Sequence, residues 1–265
     1  MVFFVVDRRL VQVACPSVQQ ESPADRVSFQ TTVEGRVKAL VSPRQVAARS
    51  WELEVGLATP QQQAVLDELA AGAWGDRLGF VPADGPVVNV LSPAASMLDP
   101  TVYPNITQSG PVVLGDGVVS ARSLVDDAGE LDVRLGTRDS PVQAGGPVSA
   151  SAWVRGQGAY LLLQFLDVDG VVLRGNVSTY GSSDTTWERV FVSMTVPAEA
   201  VAVRLLVRSA IGVTMPAVTW TTQPQAFGHG RMCDHAVVHA PSTRVLRAVE
   251  QATYYRAAYT VQEVG

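Results

Sequence analysis

The sequence predicts a mainly β protein: a β-rich domain with one α-helix, into which a second domain, a β-sandwich, is inserted. Three observations carry this. Ser149–Trp220 alternates apolar and polar residues with turn signals between the runs, as antiparallel strands with one buried face do. One stretch, beginning at Thr59, has helical spacing. The last segment, Arg231–Gly265, is β-prone but at 35 residues too short for a core of its own, so it is expected to return to the first domain.

Taken in order, Met1–Val13 reads as two short strand-forming runs broken at Asp7-Arg8-Arg9, and not as an export signal, because a basic n-region is missing. Glu21–Asp25 is a polar loop. Arg26–Thr32 presents Val27, Phe29, Thr31 and Val33 on one side, and Gly35–Leu40 and Ser50–Leu57 continue the alternation. Thr59 is a fitting N-cap, Pro60 suits the first helical turn and Gln62 completes a capping box. Val65, Leu66, Leu69 and Ala73 make the apolar stripe, and Gly72 and Gly75 are stop signals. Val87–Leu91 is expected as a strand. Ser92–Pro111, rich in Ser, Pro, Asn and Thr, is taken as the boundary, so that residues 1–95 with 227–265 form the first domain and 96–226 the second. Pro111–Val119, Leu131–Leu135 and the Gly145-Gly146-Pro147 turn open the second domain. Ala236–His239, Val245–Val249 and Ala258–Val264 are short β-prone runs of the returning segment.

Composition narrows the function. Hydrophobic residues make up 47% and charged residues 17%, enough for a substantial core and too apolar for disorder. The net charge is −5 with no Lys/Arg run, which argues against nucleic acid as a partner. No apolar run approaches the length of a membrane-spanning helix. Cys15 and Cys233 are too few for a disulfide framework and are read as reduced thiols.

Catalytic signatures are missing: there is no nucleophile elbow, phosphate-cradling Gly loop or HExxH, and nothing singles out a carboxylate pair for glycoside hydrolysis. The chain is therefore read as a non-enzyme. His229, Cys233, His235 and His239 are potential zinc ligands by type, but their spacing fits no structural zinc pattern, so no metal or other cofactor is expected. Asp167-Val168-Asp169-Gly170 resembles the start of a calcium loop without its later ligands, and reads as a hairpin turn. Asp126-Asp127 with Gly129 reads as a turn too.

The strongest lead is the outward face of the sandwich strands. With Val148, Ala150, Ala152 and Val154 inside, Trp153 points out; with Val190, Val192, Met194 and Val196 inside, Trp187 and Arg189 point out; Arg204 and Arg208 lie outside Val201, Val203, Leu205 and Val207. Trp153, Tyr160, Gln164, Tyr180, Trp187 and Arg189 are the candidate surface. Aromatic rings stack on the C–H faces of sugars while polar side chains take the hydroxyls. Exposed aromatics with Arg also suit a protein interface, and both readings stand at this point.

SASAWVRG, DTTWERVFVSMTVPAEAVAVRLLV and the closing PAVTW together resemble the jelly-roll fold of carbohydrate-binding modules, over roughly the middle half of the chain. The whole arrangement resembles minor and distal tail proteins of siphophages infecting actinobacteria. That likeness rests on RSWELEVGLATPQQQAVLDELAAGAW, NVLSPAAS, the module-like domain and PAVTW…GRMCDHAVVH…YTVQEVG. It implies a tail-ring-type first domain around the tail axis, with the sandwich hanging outward from it. It also implies a tail-tip location in a virion assembled in the host cytoplasm. The implied partners are further copies in a ring, other tail proteins (tail tube, tape measure, tail hub or baseplate) and host cell-wall glycan.

Overall fold

The computed structural model describes residues 2–13, 16, 18–23, 27–31, 37–41, 49–75, 78–126, 128, 131–249 and 252–264. Cys15, Val33, Asp127 and Gly129, which entered the sequence reading, lie outside the described residues. The protein is mainly β, with its strands in several antiparallel sheets. It divides into two compact units: Met1–Phe4, Gln12–Phe80 and Asp234–Gly265 form the first, and Val5–Val11 with Val81–Cys233 the second.

The chain opens with β1 (Val2–Val6) and β2 (Arg9–Val13). Asp7 and Arg8 between them both have positive φ, 44° and 70°, as a two-residue hairpin turn demands. The polar break read in the sequence is that turn. Next come β3 (Val18–Pro23), the paired β4 (Val27–Thr31) and β5 (Val37–Val41), and β6 (Arg49–Ala58). Glu21–Pro23, expected in a loop, belongs to β3, where pairing with Trp51, Ser50 and Arg49 of β6 satisfies its backbone.

Helix α1 (Pro60–Ala70) carries the expected capping box. Gln62 N–H donates to Thr59 Oγ1 at 3.3 Å and Thr59 N–H to Gln62 Oε1 at 3.0 Å. After β7 (Gly79–Val81) come two single helical turns, α2 (Gly85–Val88) and α3 (Pro93–Ser96). Val87–Leu91, expected as a strand, is thus partly helical; Pro86 at the helix start favours the turn over extended pairing.

The first unit is completed by β20 (Ala236–Val249) and β21 (Ala252–Glu263), which form a four-stranded antiparallel sheet in the order β20–β21–β6–β3. Helix α1 packs on β20 and β21. Phe4, Trp51, Leu53 and Phe80 are fully buried in the core, with Phe80 packed at 5.3 Å from Phe4 and 5.0 Å from Trp51 between ring centroids.

The second unit is a β-sandwich. Its strands are β8 (Thr107–Ser109), β9 (Val112–Val113), β10 (Val119–Ser120), β11 (Ser123–Val125), β12 (Leu131–Arg134), β13 (Ser140–Pro141) and β14 (Pro147–Arg155). They continue with β15 (Tyr160–Leu166), β16 (Val172–Val177), β17 (Glu188–Thr195), β18 (Ala202–Ala210) and β19 (Gly212–Thr219). One sheet runs β17–β14–β19–β11–β8. The other runs β12–β18–β15–β16, with β13 also on β18. Strand β14 packs on β15 and β18: the inward sets read from the alternation, Val148, Ala150, Ala152 and Val154 with Val203, Leu205 and Val207, are buried together with Leu161, Leu163 and Phe165 of β15. Between β15 and β16, Gly170 at φ 84° forms the expected turn, and the Asp167 carboxylate accepts the Val171 N–H at 2.8 Å.

Among the described residues no helix is long and apolar enough to cross a membrane.

Candidate functional site

The outer face of the β12–β18–β15–β16 sheet is built by alternation. Leu161, Leu163 and Phe165 of β15 turn into the core, which sends Tyr160, Leu162 and Gln164 outward, each half-buried. On β18 the same logic sends Arg204, Leu206 and Arg208 outward. The register sets Tyr160 opposite Arg208, Leu162 opposite Leu206 and Gln164 opposite Arg204. Beyond β16, Tyr180 meets Tyr160 edge-on, with centroids 5.3 Å apart and an interplanar angle of 65°. Tyr180 is 60% exposed. Opposite Gln164, Gly175 leaves β16 bare: a Cβ there would lie 3.3 Å from Leu162 Cδ1. The face therefore offers two aromatic rings, an apolar floor at Leu162 and Leu206, and the donors of Gln164 and Arg204.

Charge is concentrated at one side of this face. Asp139, only 5% exposed in its side chain, receives Arg204 Nε and Arg134 Nη2, each at 2.9 Å, and has Arg8 Nε at 3.5 Å. Arg208 Nη1 lies 2.5 Å from Asp132 Oδ2. Burial lowers the Arg134 pKa from its ordinary value; Asp139 opposes that shift, and the neighbouring guanidiniums of Arg204 and Arg8 add to it.

The six residues singled out from the sequence are divided between the two sheets. Tyr160, Gln164 and Tyr180 belong to the face just described. Trp153 and Arg189 pair across β14 and β17, and Trp187 immediately precedes β17. The indoles are half-buried. A Cβ at Gly115 would lie 3.6 Å from Trp153 Cζ3, one at Gly212 would lie 2.7 Å from Trp187 Cη2, and the Arg155 guanidinium stands 5.6 Å from the Trp187 ring. Exposed Arg189 donates to Ser151 Oγ at 3.2 Å and to the Gln225 carbonyl. Together these residues make a half-buried seam within the unit. Strand alternation separates inside from outside, yet it does not say which sheet a strand joins, and so the six read as one surface.

His229 sits edge-on to Phe227, at 5.7 Å between centroids, in a cavity of about 220 Å³ that also touches Met97, Ser120, Thr214 and Met215. Cys233 is buried, His235 is exposed and His239 Nε2 lies 2.9 Å from Gln262 Oε1. Among the described residues no three His, Cys, Asp or Glu side chains are grouped to hold a metal ion.

No family model matches the chain, and no curated protein matches it. Solved structures do. The carbohydrate-binding and catalytic modules of an endo-1,4-β-D-xylanase from Clostridium thermocellum, complexed with xylohexaose, align at a TM-score of 0.31 and 13% identity, over 44% of this chain and 25% of that one. A carbohydrate-binding module of Cellvibrio mixtus lichenase 5A, in complex with cellotriose, aligns at 0.27 and 15%, over 43% and 90%. The enzymatically active domain of tailspike protein 4 of bacteriophage CBA120 aligns at 0.24 and 11%, over 77% and 19%. The chain thus spans a quarter of the xylanase chain and about a fifth of the tailspike chain. At these TM-scores the likenesses bear on no residue of the site.

Proposed function

We propose that the protein is a structural protein of a phage tail tip whose sandwich unit binds host cell-wall glycan through the outer face of the β12–β18–β15–β16 sheet. The observation that carries the glycan part is the Tyr160–Tyr180 pair, set on the same face as Gln164 and Arg204. The rings supply a surface for sugar C–H groups, and the amide and guanidinium supply donors and an acceptor for hydroxyls. This is a binding role, without catalysis. Titration of the full chain with solubilised cell-wall oligosaccharides tests it. Tyr160→Ala and Gln164→Ala are expected to weaken binding about tenfold each. Undiminished binding in both variants, or no binding by the native chain, defeats the reading.

The assembly part comes from the resemblance of the sequence segments quoted above to tail proteins, and one feature of the first unit supports it. Strand β20, 14 residues long, is an edge of its sheet among the described residues. Such an edge presents a row of backbone donors and acceptors to a strand of another copy. Copies in a ring, joined by tail-tube, tape-measure and hub proteins, are the partners this reading names, and the virion its location. Native mass measurement tests it: a ring is expected, and a monomer at every concentration counts against it. A free-standing carbohydrate-binding protein is the alternative, favoured if glycan binds and no ring forms.

A further inference from the structure

The basic cluster at the Gln164 end of this face is unbalanced. Arg8, Arg134 and Arg204 converge on one carboxylate, Asp139. Three guanidiniums bring about fifteen N–H donors, whereas one carboxylate offers about four acceptor sites. Asp132, the other acidic side chain paired on this sheet, is taken by Arg208 and by the Ser209 N–H at 3.1 Å. Within this set, four cations face two anions.

The surplus is not sealed away. The side chains of Arg8, Arg134 and Arg204 are 39%, 34% and 26% exposed, whereas the Asp139 they share is 5% exposed. Arg134 Nε is buried and has no hydrogen-bond partner among the described residues, an orphaned donor on a charged group. Arg8 is held in place rather than free to swing out: its Nη1 donates to the Val168 carbonyl at 3.3 Å, and its guanidinium lies against Gly170. Arg204 belongs to both clusters, since it binds Asp139 and stands opposite Gln164 on the tyrosine face.

We infer that the glycan this face takes is acidic: an oligosaccharide whose carboxylate or phosphate oxygens dock on the guanidiniums of Arg134, Arg204 and Arg8 while a neighbouring sugar ring of the same chain lies toward Tyr160 and Tyr180. The inference rests on the glycan reading above and adds its ligand class. Planar guanidiniums match carboxylate and phosphate oxygens in pairs, and a partly desolvated cluster is screened less by salt than one free in solvent.

Calorimetric titration of the full chain with three probes tests it: an oligosaccharide of uronic acids, the same oligosaccharide with its carboxyls reduced to alcohols, and a short polyol phosphate. The uronic acid form is expected to bind about tenfold or more tighter than its reduced form. That preference should vanish in Arg134→Gln with Arg204→Gln and largely survive in Arg134→Lys with Arg204→Lys. Tyr160→Ala should weaken the acidic and reduced forms alike. Whether uronate or polyol phosphate binds tighter identifies which anionic group the cluster takes, and either supports the inference. Equal binding of the acidic and reduced forms, with no binding of the polyol phosphate, overturns the inference and leaves the glycan reading intact. Acidic probes that bind with no effect of Tyr160→Ala or Tyr180→Ala defeat the glycan reading and with it the inference, leaving an anion site at the arginines alone, and no binding by any probe defeats both. A measurement that needs no variant is the Arg134 Nε–Hε resonance of the native chain during addition of inorganic sulfate. A saturable shift is expected, and its absence counts against an anion site.

Discussion

The side-chain oxygen of Asn89 accepts the Val218 N–H at 3.1 Å, while the Val218 carbonyl accepts the Val90 N–H at 2.7 Å. The same amide accepts the Leu91 N–H at 3.1 Å and donates to the Pro216 and Gly228 carbonyls at 3.1 and 3.0 Å. Asn89 is fully buried, and its bonds to Val218, Leu91 and Pro216 are made out of water, while that to Gly228 is part-buried. One amide thereby ties the end of α2 to β19, the central strand of its sheet, and to the Gly228 backbone. Asn89→Ala would orphan two buried N–H groups and two carbonyls. It is expected to cost about 3 kcal/mol or more. Asn89→Asp is expected to cost at least as much, because a carboxylate would face the two carbonyls. Urea unfolding of the isolated variants measures both; a midpoint within error of the native chain would contradict this account.

In the first unit, Arg49 and Glu263 join the two ends of paired segments. Arg49 Nε donates to Glu263 Oε2 at 3.1 Å and its backbone N–H to the same oxygen at 3.2 Å, while the guanidinium lies 4.8 Å from the Trp51 ring. Arg49 is 7% exposed. Glu263→Gln leaves a buried guanidinium short of its counter-charge and is expected to destabilise by about 3 kcal/mol. Arg49→Met with Glu263→Leu removes both charges and should cost less than the single change. Denaturant midpoints of the three variants check the order.

The pH response of the Trp187 loop follows from Glu188. Its carboxylate accepts the Ser182 hydroxyl at 2.6 Å and the Ser182 N–H at 3.0 Å, and these bonds, the side-chain one first, hold its pKa below the ordinary glutamate value. A lowered carboxylate pKa means stability that is present above the unfolded value and lost as pH falls through the folded one. The loop from Ser182 to Trp187 is therefore expected to loosen below the usual carboxylate range, with no change above it. Ser182→Ala should raise the Glu188 pKa toward its ordinary value, read directly from a carboxyl-carbon NMR titration. An unmoved Glu188 titration in that variant would rule the cause out.

Local patterns were the legible part of this chain. The capping box at Thr59 and Gln62, the inward sets of β14 and β18, and the turns at Asp7-Arg8 and Gly170 each depend on neighbours within a few positions. What the sequence hid depends on pairing over long separations. Asn89 reads as one polar residue in a valine-rich run, since three of its four partners lie 127 to 139 positions away. Asp139 is unremarkable beside Arg138 until β12, β18 and the β1–β2 turn deliver Arg134, Arg204 and Arg8 to it. The division of the aromatic residues between two sheets is likewise a matter of strand order, on which alternation is silent.

That division makes a double dissociation between Trp153 and Tyr180. Trp153 is half-buried on the seam, against Gly115 and opposite Thr214 and Arg189, so Trp153→Ala removes packing and is expected to cost about 2 kcal/mol. Glycan affinity, measured on the folded protein, should stay within about twofold of native, because the indole is not on the Tyr160 face. Tyr180 is 60% exposed and touches Tyr160 only by its ring edge. Tyr180→Ala should therefore change stability by no more than about 0.5 kcal/mol while weakening glycan binding about tenfold. Thermal melts and titrations of the two variants, run side by side, check the four values. If instead Trp153→Ala abolishes binding and Tyr180→Ala does not, the binding face is the other sheet, and the seam opens to admit the sugar.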